Sequence, residues 1–140
     1  MRRIASALIL ASCFVVSLCG CGAKEEIQTA EAAVGQFHEQ LNAESFAQIY
    51  EGSDTAMKNA ASQEKFVALL GAVHRKLGWV QNSNRQTFFF NYGTNGKTIR
   101  LTYSTQFDND KAAEEFIFRV SGKEAFLMGY HINSDALVTK

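Results

Sequence analysis

Hydrophobic and polar positions fall into three regimes along the 140-residue chain. Residues Ile4–Leu18 are wholly uncharged and follow the basic start Met1-Arg2-Arg3. From Thr29 to Trp79 the apolar residues recur at helical spacing, and beyond Trp79 the period falls to two. Ala30, Val34, Phe37 and Leu41 predict a helix over Thr29–Gln40. Phe46, Ile49 and Tyr50 predict a second, short one after Asn42, read as its cap. Gly52-Ser53-Asp54 punctuates, and a turn of helix follows through Met57. Ser62 then caps the clearest helix, whose stripe is Phe66, Leu69, Leu70, Val73 and Leu77. His74, Arg75 and Lys76 suit the negative end of its dipole, and Gly78 suits its stop.

The strand-like half begins with Thr87–Tyr92, and Asn95-Gly96 is a hairpin signal. Ile99, Leu101, Tyr103 and Phe107 alternate with Thr98, Arg100, Thr102, Ser104 and Gln106. Asp108-Asn109-Asp110 turns the chain into a strand with Phe116, Phe118 and Val120 inward. Ser121-Gly122 turns it again into a last strand with Phe126, Met128, Tyr130 and Ile132 inward. Gly129 within that strand predicts a bulge or bend. Helices first and strands afterwards predict an α+β domain: about three N-terminal helices packed on a curved antiparallel sheet of about four strands.

The N-terminal run reads as an address. It is shorter than the roughly 20 apolar residues a permanent spanning helix needs, so the basic start and apolar run predict a secretory signal over residues 1–20. An uncleaved anchor is the alternative. Leu18-Cys19-Gly20-Cys21 resembles the lipobox of bacterial lipoproteins, with Cys19 where a small Ala, Ser or Thr is usual. The resemblance implies cleavage before Cys21 and a diacylglyceryl group on its sulfur, followed by a polar tether over 21–26 and a single domain over 27–140. Ordinary cleavage near Gly22 or Ala23 is the competing reading. Several acyl chains on one residue give stable anchoring where a single chain does not. Gly22 after the cysteine, by resemblance to the sorting rule of enteric-type bacteria, implies the outer rather than the inner membrane.

Composition narrows the function. Lys+Arg and Asp+Glu are equal at 14 each, and loss of Arg2 and Arg3 leaves a mature charge of −2. No basic footprint for nucleic acid exists. Of three cysteines only Cys21 survives cleavage, so no disulfide, cysteine nucleophile or cysteine-based zinc site is expected. His38, His74 and His131 stand on separate elements without metal-ligand spacing, and no metal or other cofactor is expected. No Ser-His-Asp signature and no phosphate-cradling glycine loop occurs.

The Phe37/Leu41/Phe46/Tyr50 run, the Leu77-Gly78-Trp79 junction and the ending Gly129-Tyr130-His131-Ile132-Asn133-Ser134 carry a resemblance. They are similar to the cone-shaped nuclear transport factor two-like superfamily, above all to small secreted bacterial proteins whose domain has no assigned function. The resemblance implies a pocket between helices and sheet, and frequent pairing of copies through the outer sheet face. Tyr50, Tyr92, Tyr103 and Tyr130 are the candidate pocket residues, against the alternative that each packs its ring in the core. Some enzymes of the superfamily use a cavity carboxylate beside a tyrosine. Here Glu114 shares parity with Phe116 but stands at a strand's start, and no carboxylate is placed inside. Phe89, Arg100, Ile117, Arg119, Leu127 and His131 are expected on the outer sheet face as a candidate interface. The alternatives there are scattered surface residues, or a cover formed by Ala136-Leu137-Val138.

These readings converge on a membrane-anchored envelope lipoprotein with a non-enzymatic binding or scaffold domain. Its partners would be the membrane through Cys21, a second copy through the sheet face, and an envelope protein or small apolar ligand. The runner-up is a small-molecule enzyme or ligand-binding protein using the helix–sheet pocket.

Overall fold

A computed structural model describes residues 21–94 and 96–139. The expected signal over 1–20 and Asn95 of the hairpin signal lie outside the described residues. Helix α1 (Cys21–Asn42) is followed by α2 (Phe46–Glu51), α3 (Thr55–Ala60) and α4 (Gln63–Leu77). Strands β1 (Val80–Gly93), β2 (Gly96–Phe107), β3 (Lys111–Ser121) and β4 (Glu124–Asn133) form one antiparallel meander in the order β1-β2-β3-β4, and α5 (Asp135–Val138) ends the chain. The α+β class and the helices-then-sheet order are as the periodicity predicts.

Local chemistry accounts for the boundaries. Asp54 caps α3 by accepting from Ala56 N–H at 2.8 Å, and Ser62 caps α4 by accepting from Lys65 N–H at 3.4 Å. Gly78 closes α4 at φ 81°, ψ −151°, a region open to glycine. A Cβ at Gly78 would stand 2.6 Å from Asp108 Oδ2. That carboxylate lies close because it accepts from Trp79 N–H at 2.7 Å, which locks the helix-to-sheet turn onto the β2–β3 loop.

Three local expectations are corrected. Residues 22–26, read as a tether, continue α1. Asn42 does not cap α2, whose N-cap position is Ser45. Instead Asn42 accepts from Val80 N–H at 2.8 Å and donates to its carbonyl at 3.2 Å, pinning the end of α1 to the start of β1. Strand β1 starts at Val80 rather than Thr87, and two register shifts let it follow β2 over that length. Gly93 pairs with Gly96, which closes the β1–β2 hairpin where the sequence signals it.

One sheet face packs against the helices. Ala30, Val34, Phe37 and Leu41 of α1 and Phe66, Leu70, Val73 and Leu77 of α4 meet Ile99, Leu101, Phe107, Phe116 and Phe118 from the strands. Phe37 stands edge-on to Phe116, with ring centroids 5.1 Å apart. Helix α5 packs on α4, where Lys76 Nζ donates to the Leu137 carbonyl at 3.1 Å. Residues 136–138 therefore do not cover the outer sheet face.

Candidate functional site

The interior holds a carboxylate. Glu114 alternates with Ala112, Phe116 and Phe118 along β3 and so points into the core, 1% exposed. His38 comes from α1, four residues after Val34 and three before Leu41, on the buried face of that helix. Thr105 comes from β2 between Tyr103 and Phe107, and Tyr130 from β4. His38 Nε2 lies 2.7 Å from Glu114 Oε2, and Thr105 Oγ1 donates to the same oxygen at 2.5 Å. The Tyr130 hydroxyl donates to Oε1 at 2.7 Å. A carboxylate stripped of water costs several kcal/mol, and these three donors replace its hydration. Burial, and then the charge of Glu114, push the Tyr130 phenol well above its ordinary range, which keeps it a donor.

This overturns the expectation that no carboxylate lies inside. The position at the start of β3 misled, because β3 pairs with β2 from Lys111 and α1 covers its first turn of pleat. The group has the composition of an acid–base site, yet it is closed: Glu114 and Thr105 are shut from solvent, and His38 and Tyr130 nearly so. Proton transfer to a solute requires hydrogen-bond reach, and in this packed arrangement the carboxylate oxygens face His38, Thr105 and Tyr130.

The four candidate tyrosines do not share a pocket. Tyr50 donates to the Ala61 carbonyl at 2.9 Å and ties α2 to the end of α3. Tyr92 is 72% exposed on the β1–β2 hairpin. Tyr103 is buried with its ring edge-on to Phe116, and burial, with the Glu31 carboxylate second, pushes its phenol up to about 12. Tyr130 serves Glu114. A crevice of about 110 Å³ between helices and sheet is lined by Phe37, Gln40, Gln48, Ile49 and Leu127 among others, and by none of the tyrosines.

The outer face of the sheet is open. Phe89 is 63% exposed, and it lines a groove of about 500 Å³ with Arg100, Ile117 and Met128. A neighbouring groove of about 450 Å³ runs along Thr102, Ser104, Glu115 and His131. Arg100 Nε and Glu115 Oε1 lie 3.9 Å apart, opposite charges beside an apolar strip.

Two of the candidate interface residues sit differently. Leu127 is in the core, not on the outer face, and Met128 takes the outer place. The cause is the bulge that Gly129 signals: Ile117 pairs with Gly129 and Phe118 with Leu127, so Met128 is the extra residue. The bulge reverses parity from Met128 back, and Phe126 and Met128 leave the inner face predicted for them. A Cβ at Gly129 would sit 3.3 Å from Ile117 Cδ1. Arg119, outward by parity, carries its guanidinium to Asp54, with Nε 2.7 Å from Oδ2. That ion pair holds the Asp54 carboxyl below its ordinary value. Cys21 is the first residue of α1.

A protein-family model, described as a protein of unknown function (DUF4019), matches residues 33–130. That span contains His38, Thr105, Glu114 and Tyr130 and most of the outer face. No curated protein and no solved structure matches the chain.

Proposed function

The chain belongs to this DUF4019 family, and from that premise we propose that it is a lipid-anchored lipoprotein of the bacterial envelope, more specifically of the outer membrane. Its domain is a non-enzymatic binding or scaffold module whose working surface is the outer sheet face. Residues 1–20 are the signal, and Cys21 carries the lipid. One observation carries the assignment of the surface: the helices pack on one side of the sheet, while Phe89 and its groove stand open on the other. The helix-on-sheet layering also suits the cone-shaped nuclear transport factor two-like arrangement.

The occupant of that face is a second copy. A two-fold pairing sets each protomer's Arg100 against the partner's acidic side and each apolar strip against its equivalent, the self-complementarity that an isologous contact requires.

Two measurements test this. Cys21→Ser releases the protein from membranes, and unchanged retention counts against lipid anchoring. In sedimentation, the native protein shows concentration-dependent mass and Phe89→Glu shows the monomer alone. A native protein that stays monomeric at every concentration removes the pairing.

A small-molecule site is the second reading, favoured by Glu114 standing between His38 and Tyr130. It requires α1 to part from the sheet. Amide exchange around His38 faster than global unfolding would support it.

A further inference from the structure

An aromatic ladder climbs one side of β1 toward the hairpin beside the start of α1. Phe88 and Phe90 are edge-on with centroids 6.0 Å apart, and Phe90 and Tyr92 stack at 6.5 Å. Phe88 is 44% exposed and Tyr92 72%. Arg85 lies over the Phe88 ring at 5.1 Å, and Lys97 over Phe90 at 4.7 Å and Tyr92 at 5.3 Å. The same cations bind α1: Arg85 Nε is 3.0 Å from Glu31 Oε1, and Lys97 pairs with Glu26. Ala23, Lys24, Ile27, Phe88 and Phe90 line a groove of about 450 Å³ between the helix and the ladder.

Where the chain enters this end decides what covers it. In the sequence the uncharged run Ile4–Leu18 ends three positions before Cys21, and the described chain is already helical from Cys21. At about 1.5 Å of rise per residue, Ile27 lies only about 9 Å along the axis from Cys21. Whatever joins this chain to a bilayer, acyl chains or the run itself, joins it within reach of Phe88 and Tyr92. We propose that the hairpin and the first turns of α1 form a membrane-seating face, in which Phe88, Phe90, Tyr92 and Ile27 enter the headgroup layer of a phospholipid bilayer. The inference rests on the anchoring reading above.

The chemistry suits that layer. Tyrosine presents an apolar ring and a polar tip, the amphipathy that gathers aromatics at bilayer interfaces. The Arg85 and Lys97 stems lie along the rings while their charged ends pair with Glu31 and Glu26 on α1. Glu26 and Glu31 offset Lys97 and Arg85, so apolar burial rather than net charge drives the seating, and added salt leaves it in place. The outer sheet face then stands to the side of the anchor, free for a partner on the same membrane.

Trp79, the single tryptophan, provides an internal control. It is 58% exposed at the far end of β1, about 40 Å from Tyr92 at the usual rise of a strand. The test uses the full chain processed in cells and reconstituted into phosphatidylethanolamine–phosphatidylglycerol vesicles carrying brominated acyl chains. Native protein, reporting from Trp79, keeps its emission. Trp79→Phe/Tyr92→Trp loses most of its emission to bromine, in low and high salt alike. Trp79→Phe/Phe88→Trp does the same and serves if the first variant misfolds. Protein that floats with the vesicles while its hairpin tryptophan stays unquenched overturns the seating alone. Protein that does not float overturns the anchoring reading and the seating with it. A hairpin tryptophan shifted to the blue but unquenched, as when a second copy covers it, also overturns the seating.

Discussion

The Tyr130 hydroxyl donates to Oε1 of Glu114 at 2.7 Å across the β3–β4 boundary, two positions out of direct register. With His38 and Thr105 on the other carboxylate oxygen, one buried group binds α1, β2, β3 and β4 together. Its removal therefore affects the whole packing between α1 and the sheet.

Glu114→Ala should cost about 3–5 kcal/mol, because it leaves three buried donors without an acceptor. The double variant His38→Leu/Glu114→Leu should be less costly than Glu114→Ala, since it removes the polar pair and fills the space. Urea unfolding of both variants checks this. A Glu114→Ala loss under about 1 kcal/mol would be too small for a buried group of this kind.

Gly78→Ala should destabilise by about 1–3 kcal/mol. The backbone there has φ 81°, and the added Cβ meets Asp108, which must then leave Trp79 N–H. Thermal unfolding measures the loss. Asp108→Ala combined with Gly78→Ala should be less than additive, because the two sites share one contact.

Asp54 sets an acid limit. Its carboxyl is held below the ordinary 3.8, first by the Arg119 hydrogen bond. Its stabilisation is complete above 3.8 and is lost as pH falls through the lower folded value. Asp54→Ala should cost about 1–2 kcal/mol near neutral pH, through the α3 cap and the Arg119 pair. It should also flatten the fall in stability on the acid side. Equilibrium unfolding as a function of pH reads both effects, and an unchanged acid slope would exclude Asp54 as its source.

Tyr103 and Tyr130 set an alkaline limit. Both phenols are raised above the ordinary 10.0, Tyr103 to about 12. The folded state therefore holds protons that the unfolded chain releases. Stability from these groups is full below 10 and falls as pH rises through about 12. Tyr103→Phe should move the alkaline unfolding midpoint upward, followed by Trp79 emission or circular dichroism. A midpoint unmoved in both Tyr103→Phe and Tyr130→Phe would contradict the assignment.

Periodicity by itself determined the α+β class, the order of elements, the α4 boundaries and the inward sets of β2 and β3. Each rests on local rules: a cap, a stop glycine, a helical stripe, a two-residue alternation. The interior polar group was half legible, for His38, Thr105, Glu114 and Tyr130 each occupy inward positions of four different elements. What no single element reveals is that those positions coincide, because the contact between α1 and the sheet joins residues 76 apart. The bulge is similar: Gly129 signals it, but which neighbour becomes the extra residue depends on how β4 pairs with β3. Long-range packing alone decided that Leu127 turns inward, that Met128 turns outward, and that the carboxylate is sealed by a helix that begins 93 residues before it.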